Sequence, residues 1–305
     1  MAACCDCNGT LSNTGTPSCQ PIMGVGVKLI LVNLIANDST KNVIDISSYT
    51  GSQAEWDARL NDTDGSKRYY PLPAFKNIED VKGDTIFETF NDTSNLFVQE
   101  GTRTYTGVMP NESPTLLGKM KEARCQKIGV YIVDDCGNLI GNISSDGASL
   151  EPIPVDNNTW NPILVKATDT TVQKIQLSFE YSRLNKDEDL KMIAESESEI
   201  DLLTLRGLLD VNAAAATSIS TTGFTTSLTY DYGTAVAAYD VKGLVLADFD
   251  LYNETSTSSV VISSVTESPD GTYAFVIPAQ TSSDVLTLNL QKDGFEMTAL
   301  SVTIP

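Results

Sequence analysis

The sequence contains no histidine among its 305 residues. This absence excludes Ser-His-Asp and Cys-His nucleophile machinery, histidine-ligated metal sites and the usual physiological proton shuttle. The sequence also has no G-x-G-x-x-G or Walker-type phosphate loop, so nucleotide chemistry lacks a recognisable cradle. Paired carboxylates remain as a catalytic arrangement. We predict that the protein is not an enzyme and that it uses no cofactor.

Long apolar runs are also missing. The longest, from Val25 to Ala36, contains Lys28 and Asn33 and is too short to cross a bilayer. The N-terminus, Met1 to Cys7, lacks the basic and apolar regions of a signal peptide. These absences predict a chain that is made in a cytoplasm and has no membrane partner.

Basic residues are scarce relative to acidic ones. The sequence contains 20 Lys and Arg residues and 40 Asp and Glu residues, which gives a net charge of −20 and a pI near 4.2. The segment from Val211 onward carries −8 of this charge, so both parts of the chain are acidic. This balance excludes nucleic-acid binding by clustered cations. It suits solubility, or a surface along which a polyanion slides without being held.

The six cysteines are compatible with either a metal site or free thiols. Four lie near the N-terminus, and Cys4 and Cys7 form a C-x-x-C motif that lacks the second C-x-x-C of a strong zinc signature. With no histidine, a fourth ligand beside Cys4, Cys7 and Cys19 has to be Cys5, Cys125, Cys136 or a carboxylate. We favour reduced thiols on a flexible arm and predict no metal site.

Strict alternation of apolar and polar residues marks several segments as half-buried β-strands. The clearest runs from Lys174 to Ser182, and a turn at Ser268 to Gly271 precedes another alternating segment. The pattern predicts a mainly β fold that ends in a small antiparallel sandwich. Three C-terminal segments show the alternation: Tyr273 to Ile277, Leu286 to Leu290 and Leu300 to Ile304.

Two helices are predicted from their caps. Ser52 precedes a helix over Gln53 to Leu60, and Ser113 with Pro114 opens one that ends near Arg124. The segment Glu199 to Leu209 is compatible with either a helix or a long strand.

Other segments read as strands joined by turns. Gly83 to Gly107 is strand-like, with a turn at Asn91 and Asp92. Ile128 to Val133 and Leu139 to Ile143 flank a turn and predict a hairpin. These elements suggest four regions: an N-terminal arm at 1–22, a β body at 23–212, an Ala/Ser/Thr-rich linker at 213–222 and a sandwich at 223–305.

The order of these segments resembles the major tail tube proteins of long-tailed bacteriophages. The likeness covers about residues 22 to 205. The last region, with Asp270-Gly271-Thr272-Tyr273, looks like the bacterial Ig-like domains often fused to virion proteins. The segments that carry the first likeness are Phe87 to Phe90, Arg103 to Gly107, the helix at Ser113-Pro114 and the hairpin at Asp135 to Asn138.

The resemblance implies a fold and a set of partners. The fold would be a tail-tube-type β-sandwich or barrel body with one or two short helices, plus a C-terminal Ig-like β-sandwich. Copies would join in hexameric rings whose strands close a continuous inner barrel. The N-terminal arm and the loop from Asp62 to Pro73 would connect stacked rings, and other tail proteins would bind the stack. The Ig-like domain would lie outside, available to host surface glycans. The protein would belong to the virion tail and assemble in the host cytoplasm.

The same resemblance gives the acidic residues a role. DNA would pass through the tube without specific binding, because a lumen of carboxylates and small polar groups offers no cation to hold phosphate. The lumen-facing candidates are Glu88, Glu180, Asp187, Glu188 and Asp189.

Three alternatives remain open at this point. The first is a different virion component, such as a capsid decoration or head-tail connector protein. The second is a bacterial surface glycan-binding protein, which would need an export signal. The third is a carboxylate-based glycosidase, which would need two acids facing each other across a cleft.

Overall fold

The computed structural model describes residues 14–16 and 20–305. The predicted mainly β fold is confirmed, with two short α-helices, α1 at Gln53–Leu60 and α2 at Pro114–Glu122. The strands before residue 209 are β1 Gly26–Asn33, β2 Ile44–Asp45, β3 Tyr69–Pro71, β4 Lys76–Lys82, β5 Ile86–Thr89, β6 Asn95–Gln99, β7 Arg103–Pro110, β8 Ile128–Asp134, β9 Leu139–Ile143, β10 Ser149–Glu151, β11 Ile153–Pro154, β12 Asn161–Val165, β13 Lys174–Glu180 and β14 Leu190–Ile193.

The largest sheet of the body is buried on both faces. Its strands run in the order β2-β10-β9-β8-β1-β3, with β11 also pairing with β8 and β14 with β9. Every residue of β8 is buried, because one face packs against a second sheet and the other is covered by α1 and the segment around Leu202. This double burial explains the continuous apolar runs of β1 and β8, which do not alternate.

The second sheet of the body has the order β12-β13-β7-β4. Its inner face packs on the large sheet through Tyr105, Ile175, Leu177 and Phe179, as the alternation of β13 predicts. Helix α2 closes one side of this core, where the buried Trp160 ring donates its Nε1–H to the carbonyl of Met120 at 2.8 Å. The body is therefore two packed sheets with a helix at one margin.

Both helices begin where their caps predict. The Ser52 hydroxyl accepts from the Glu55 amide at 3.3 Å, and the Ser113 hydroxyl accepts from the Leu116 amide at 3.3 Å. Each cap satisfies an amide that the first helical turn leaves without a partner. Trp56 of α1 is fully buried against the large sheet. The helix assignments are confirmed.

The C-terminal part is a two-sheet sandwich with its own core. One sheet has the order β21-β22-β17-β15-β24, with β16 and β18 also pairing with β17, and the other has the order β20-β19-β23-β25. Side chains from both sheets form a single apolar cluster. The strands are β15 Leu209–Ala213, β16 Thr217–Ser220, β17 Gly223–Gly233, β18 Ala238–Asp240, β19 Phe249–Asn253, β20 Ser258–Ser259, β21 Ser264–Glu267, β22 Thr272–Val276, β23 Val285–Leu290, β24 Phe295–Met297 and β25 Leu300–Thr303.

Two expectations about the connection differ from the structure. The segment 213–222 was expected to be a linker, but half of it is strand, because β16 and the end of β15 pair with β17. Val211, expected in the body, is buried in the sandwich core. The segment 199–209 is neither helix nor long strand: it forms a 3-10 turn at Leu202–Thr204, capped by the Asp201 side chain.

The sandwich contacts the body through opposite charges. Lys119 of α2 forms ion pairs with Asp210 and, at 3.5 Å, with Asp231. On the other side of the contact, Arg68 pairs with Glu296 at 2.5 Å. Because both regions are acidic overall, these two cations offset a repulsion between the body and the sandwich.

Charge reversal at Lys119 is expected to loosen this contact. In Lys119→Glu the new carboxylate would face two aspartates, at a cost of roughly 1–2 kcal/mol. We expect a larger radius of gyration in small-angle X-ray scattering at low salt. Lys121→Glu, on the same helix, changes the net charge equally, and Lys121 forms no ion pair within the described residues. Identical scattering from the two variants would contradict the predicted role of Lys119.

A buried lysine ties the segment before the sandwich to the large sheet. Lys28 is only 3% exposed, and its ammonium donates to the carbonyls of Leu203, at 2.8 Å, and Leu205. Burial lowers the pKa of Lys28 to about 8, although nearby Asp201 opposes the shift. The folded chain therefore holds this proton less tightly than the unfolded chain does.

This shift predicts a pH dependence of stability. Between pH 8 and pH 9.5 the unfolded chain keeps the Lys28 proton and the folded chain loses it, so the free energy of unfolding should rise with pH. Lys28→Met should remove this rise and, at pH 7.5, cost about 1–3 kcal/mol because two carbonyls lose their donor. Denaturant unfolding across this pH range measures both effects, with the exposed Lys191→Met as control. Parallel pH profiles for wild type and Lys28→Met would contradict the prediction.

Candidate functional site

The outer face of the four-stranded body sheet is small and polar. On β13 the side chains opposite the core are Lys174, Gln176, Ser178 and Glu180, all partly exposed. Their partners on β7 include Thr106, which lies opposite Ser178. The middle of this face therefore presents hydroxyl and amide groups. We name this surface, formed by the outward side chains of β12, β13, β7 and β4, the polar face.

The charges on the polar face have both signs. On β13, Lys174 and Glu180 lie at opposite ends, six positions or ~20 Å apart. On the β4 edge, Lys76 lies level with Gln176 and Glu79 lies level with Ser178. The expected uniformly acidic lining is therefore not what this face presents, because its cations and acids are equal in number.

The five acidic candidates are distributed over three elements. Glu180 alone lies on the polar face, and Glu88 is exposed on β5. Asp187, Glu188 and Asp189 form a 3-10 turn, in which Asp187 makes ion pairs with Lys82 and Arg103 at 3.0 Å. Asp187 is thus a neutralised charge within the subunit. A lumen-facing role for all five stays a prediction.

Two edges of the polar sheet are open. β4 and β12 are its outermost strands, and within the described residues no further strand pairs with their outer sides. Open edges carry unpaired amide and carbonyl groups, which makes them templates for another strand. Ile163 on β12 and Val81 on β4 are both exposed, so each edge also presents an apolar side chain.

A hairpin formed by β5 and β6 is apolar on both of its faces. On one face Phe87 and Phe97 meet edge to face, with their ring centroids 6.2 Å apart. The opposite face carries Ile86, Phe90 and Leu96 together with Glu88, which pairs with Leu96, and all five apolar side chains are exposed. Phe87 and Leu96 are each 56% exposed. An isolated two-stranded hairpin is marginal in water, so a ribbon with two wet apolar faces indicates a surface that a partner covers.

The strand-like segments Asp84 to Phe90 and Leu96 to Gln99 predicted the two strands of this hairpin but not its exposure. The missing signal was the presence of apolar residues at both odd and even positions. Such a pattern is typical of a strand covered on two sides. Within the described chain these strands are covered on neither side, since β5 and β6 form a separate two-stranded sheet.

The loop expected to connect stacked rings is largely engaged within the chain. Tyr69 to Pro71 form β3 and pair with β1, and Tyr69 is buried. Arg68 contacts the sandwich through Glu296. The N-terminal arm, residues 1–22, lies mostly outside the described residues, and the start of the body that follows it is fixed: the amides of Gly24 and Val25 donate to Asp134 and Asp135 at 2.9 and 3.0 Å.

Within the described residues one cysteine belongs to a group of possible metal ligands: the ligand atoms of Asp134, Asp135 and Cys136 lie within 4.8 Å of one another. Cys125 and Cys136 are exposed free thiols. Asp134 lies near Cys136, yet its buried carboxylate already accepts from the amides of Gly24, Cys136 and Asn138. This carboxylate organises a turn. Four cysteines, Cys4, Cys5, Cys7 and Cys19, lie outside the described residues.

Two clefts bear on the glycosidase alternative. The larger, of about 410 Å³, is lined by Lys127, Arg183 and several amides, and Asp156 is its one carboxylate. A smaller cleft of about 80 Å³ contains Asp80, which is paired with Arg103 at 2.6 Å. Neither cleft holds the two facing acids that the mechanism needs, so the geometry of these clefts gives the glycosidase hypothesis no support.

Comparisons with known proteins leave the family open. No protein-family profile and no curated protein matches this chain. One solved structure, the N-terminal part of the bacterial S-layer protein SbsC, aligns with a TM-score of 0.23 and 14% identity. The alignment covers 32% of this chain and 24% of that one. Within the described residues, neither α-helix is long and apolar enough to cross a membrane.

Proposed function

We propose that the protein is a structural component of a bacteriophage tail, in which copies assemble into stacked rings that form the tail tube. The observation that carries this proposal is the hairpin with two exposed apolar faces. A surface of this kind costs free energy in water and is retained where a partner covers it. Another copy of the same chain meets that need with no further component.

The open strands β4 and β12 support the same proposal. If β12 of one copy pairs with β4 of the next, both unpaired edges are used and the polar sheets of neighbours become continuous. A head-to-tail contact repeated around an axis closes into a ring. The polar face would then line one side of that ring, because the other face of the sheet is its core.

The composition of the polar face is suited to a passage for DNA. Thr106, Gln176 and Ser178 offer phosphate no cationic partner, and the cations on this face are Lys174 near one end and Lys76 on the β4 edge, level with Gln176. The sandwich, on this proposal, is displayed outside the tube, where contact with host surface glycans stays a prediction. The protein would be located in the virion tail after assembly in the host cytoplasm.

Assembly should depend on the apolar hairpin. In Phe87→Ser/Leu96→Ser, one apolar side chain is removed from each face, and we expect oligomers to be lost while the circular dichroism spectrum is retained. Sedimentation velocity and negative-stain electron microscopy provide the measurements. Val236→Ser is the control, since Val236 is 98% exposed on the sandwich. Wild-type protein that stays monomeric when concentrated would overturn the proposed function, and discrete closed particles would favour a connector.

Charge on the polar face should control DNA retention by assembled tubes. Glu180→Lys adds a cation to that face, and we expect tubes to form normally but to bind duplex DNA in a manner that weakens with salt. Glu254→Lys makes the same change in net charge on the exposed surface of the sandwich. Equal DNA retention by tubes of the two variants, measured by co-sedimentation, would show that the polar face does not line the passage.

A further inference from the structure

The apolar hairpin joins the polar sheet through a narrow neck made by two glycines. Gly83 and Gly101 face each other so closely that a Cβ on Gly101 would overlap the carbonyl oxygen of Gly83. The Gly83 amide donates to the carbonyl of Thr102 at 2.8 Å. Glycine is required at position 101, because the backbones of the two strands approach each other closely there. The two glycines also leave the neck without side chains that could resist bending.

A chain of charges surrounds the neck. Lys82, just before it, lies 3.3 Å from Glu100 and 3.0 Å from Asp187. Arg103, just after it, lies 3.0 Å from Asp187 and 2.6 Å from Asp80. Among the described residues, Asp187 is the one carboxylate that pairs with both cations, and it therefore bridges the two strands that lead into the hairpin.

The bridge also connects the neck to a different part of the body. Asp187 opens the 3-10 turn that leads into β14, and β14 pairs with β9 of the large sheet. Nearby, Arg183 donates to Gln99 of β6 at 3.4 Å. Burial would raise the pKa of Asp187, but hydrogen bonds from Lys82 and Arg103 outweigh it and hold the pKa below its usual value. Asp187 is thus held as an anion between two cations.

We infer that Asp187 is a positioning residue, a charge clamp that fixes the direction in which the apolar hairpin projects from the body. Without its charge, Lys82 keeps Glu100 and Arg103 keeps Asp80. The two resulting pairs no longer connect the neck to the 3-10 turn. Because the neck itself is glycine, the hairpin then swings more freely and its apolar faces lose their fixed presentation to a partner.

The importance of the clamp for assembly rests on the proposed function, whereas the clamp itself is a property of the single subunit. It is a network of partly exposed charges, so salt should weaken it. A hairpin that is already fixed loses less conformational entropy when it binds a partner. The clamp would therefore favour association.

Hydrogen–deuterium exchange of dilute, unassembled protein tests the clamp. In Asp187→Asn we expect the Gly83 amide to exchange about fivefold faster or more, with no change at the buried Leu177 of β13. Asp189→Asn removes one charge from the same 3-10 turn, and Asp189 forms no ion pair in the described part of the chain. The control should exchange like wild type, and wild type in 1 M salt should approach Asp187→Asn.

A second variant guards against an effect of Asn itself. Lys82→Gln breaks the bridge from the other side and should give the same acceleration, and the double variant Lys82→Gln/Asp187→Asn should not exceed either single variant, because both remove one link. Equal exchange at Gly83 in Asp187→Asn and Asp189→Asn would overturn the clamp, whether or not tubes form. Failure of wild type to assemble would instead overturn the proposed function and leave the exchange result to decide the clamp.

Discussion

The register between β7 and β13 is the constraint on which both the body core and the polar face depend. Tyr105 lies opposite Phe179, and their rings stack with centroids 5.2 Å apart inside the core. One position along, Thr104 lies opposite Glu180 on the outer side. A slip of one residue would exchange the two faces, burying the glutamate and exposing the aromatic rings. The apolar core therefore fixes the composition of the outer surface as well.

Much of the fold could be predicted because its signals are local. The alternation of β13 and of the C-terminal strands reports one buried face, and the caps at Ser52 and Ser113 report unpaired amides of a first helical turn. These features depend on residues within a few positions of one another. The mainly β class, both helices and the hairpin after Ile128 followed from them.

The features that escaped prediction depend on partners distant in sequence. The segment 213–222 has a linker composition, yet its small side chains suit strands that pair with β17. The segment around Leu203 is bound by Lys28, 175 positions earlier in the chain, whose ammonium donates to its carbonyl. Asp187 was predicted as a lumen-facing acid, and nothing in the sequence indicated its ion pair with Lys82, 105 positions away. Charge patterns alone do not report such pairings.

The excess of acids changes what each cation does in this molecule. With twenty cations against forty acids, a cation near any surface readily finds a carboxylate, and several act as internal ties: Arg68 and Lys119 towards the sandwich, Lys82 and Arg103 at the neck. Lys76 and Lys174 are different, because they lie on the polar face. If copies surround a passage with this face, repulsion by carboxylates would not by itself keep DNA moving. The hydroxyl and amide groups of Thr106, Ser178 and Gln176 would contribute, because they offer phosphate no cationic partner, whereas Lys76 beside them could hold it.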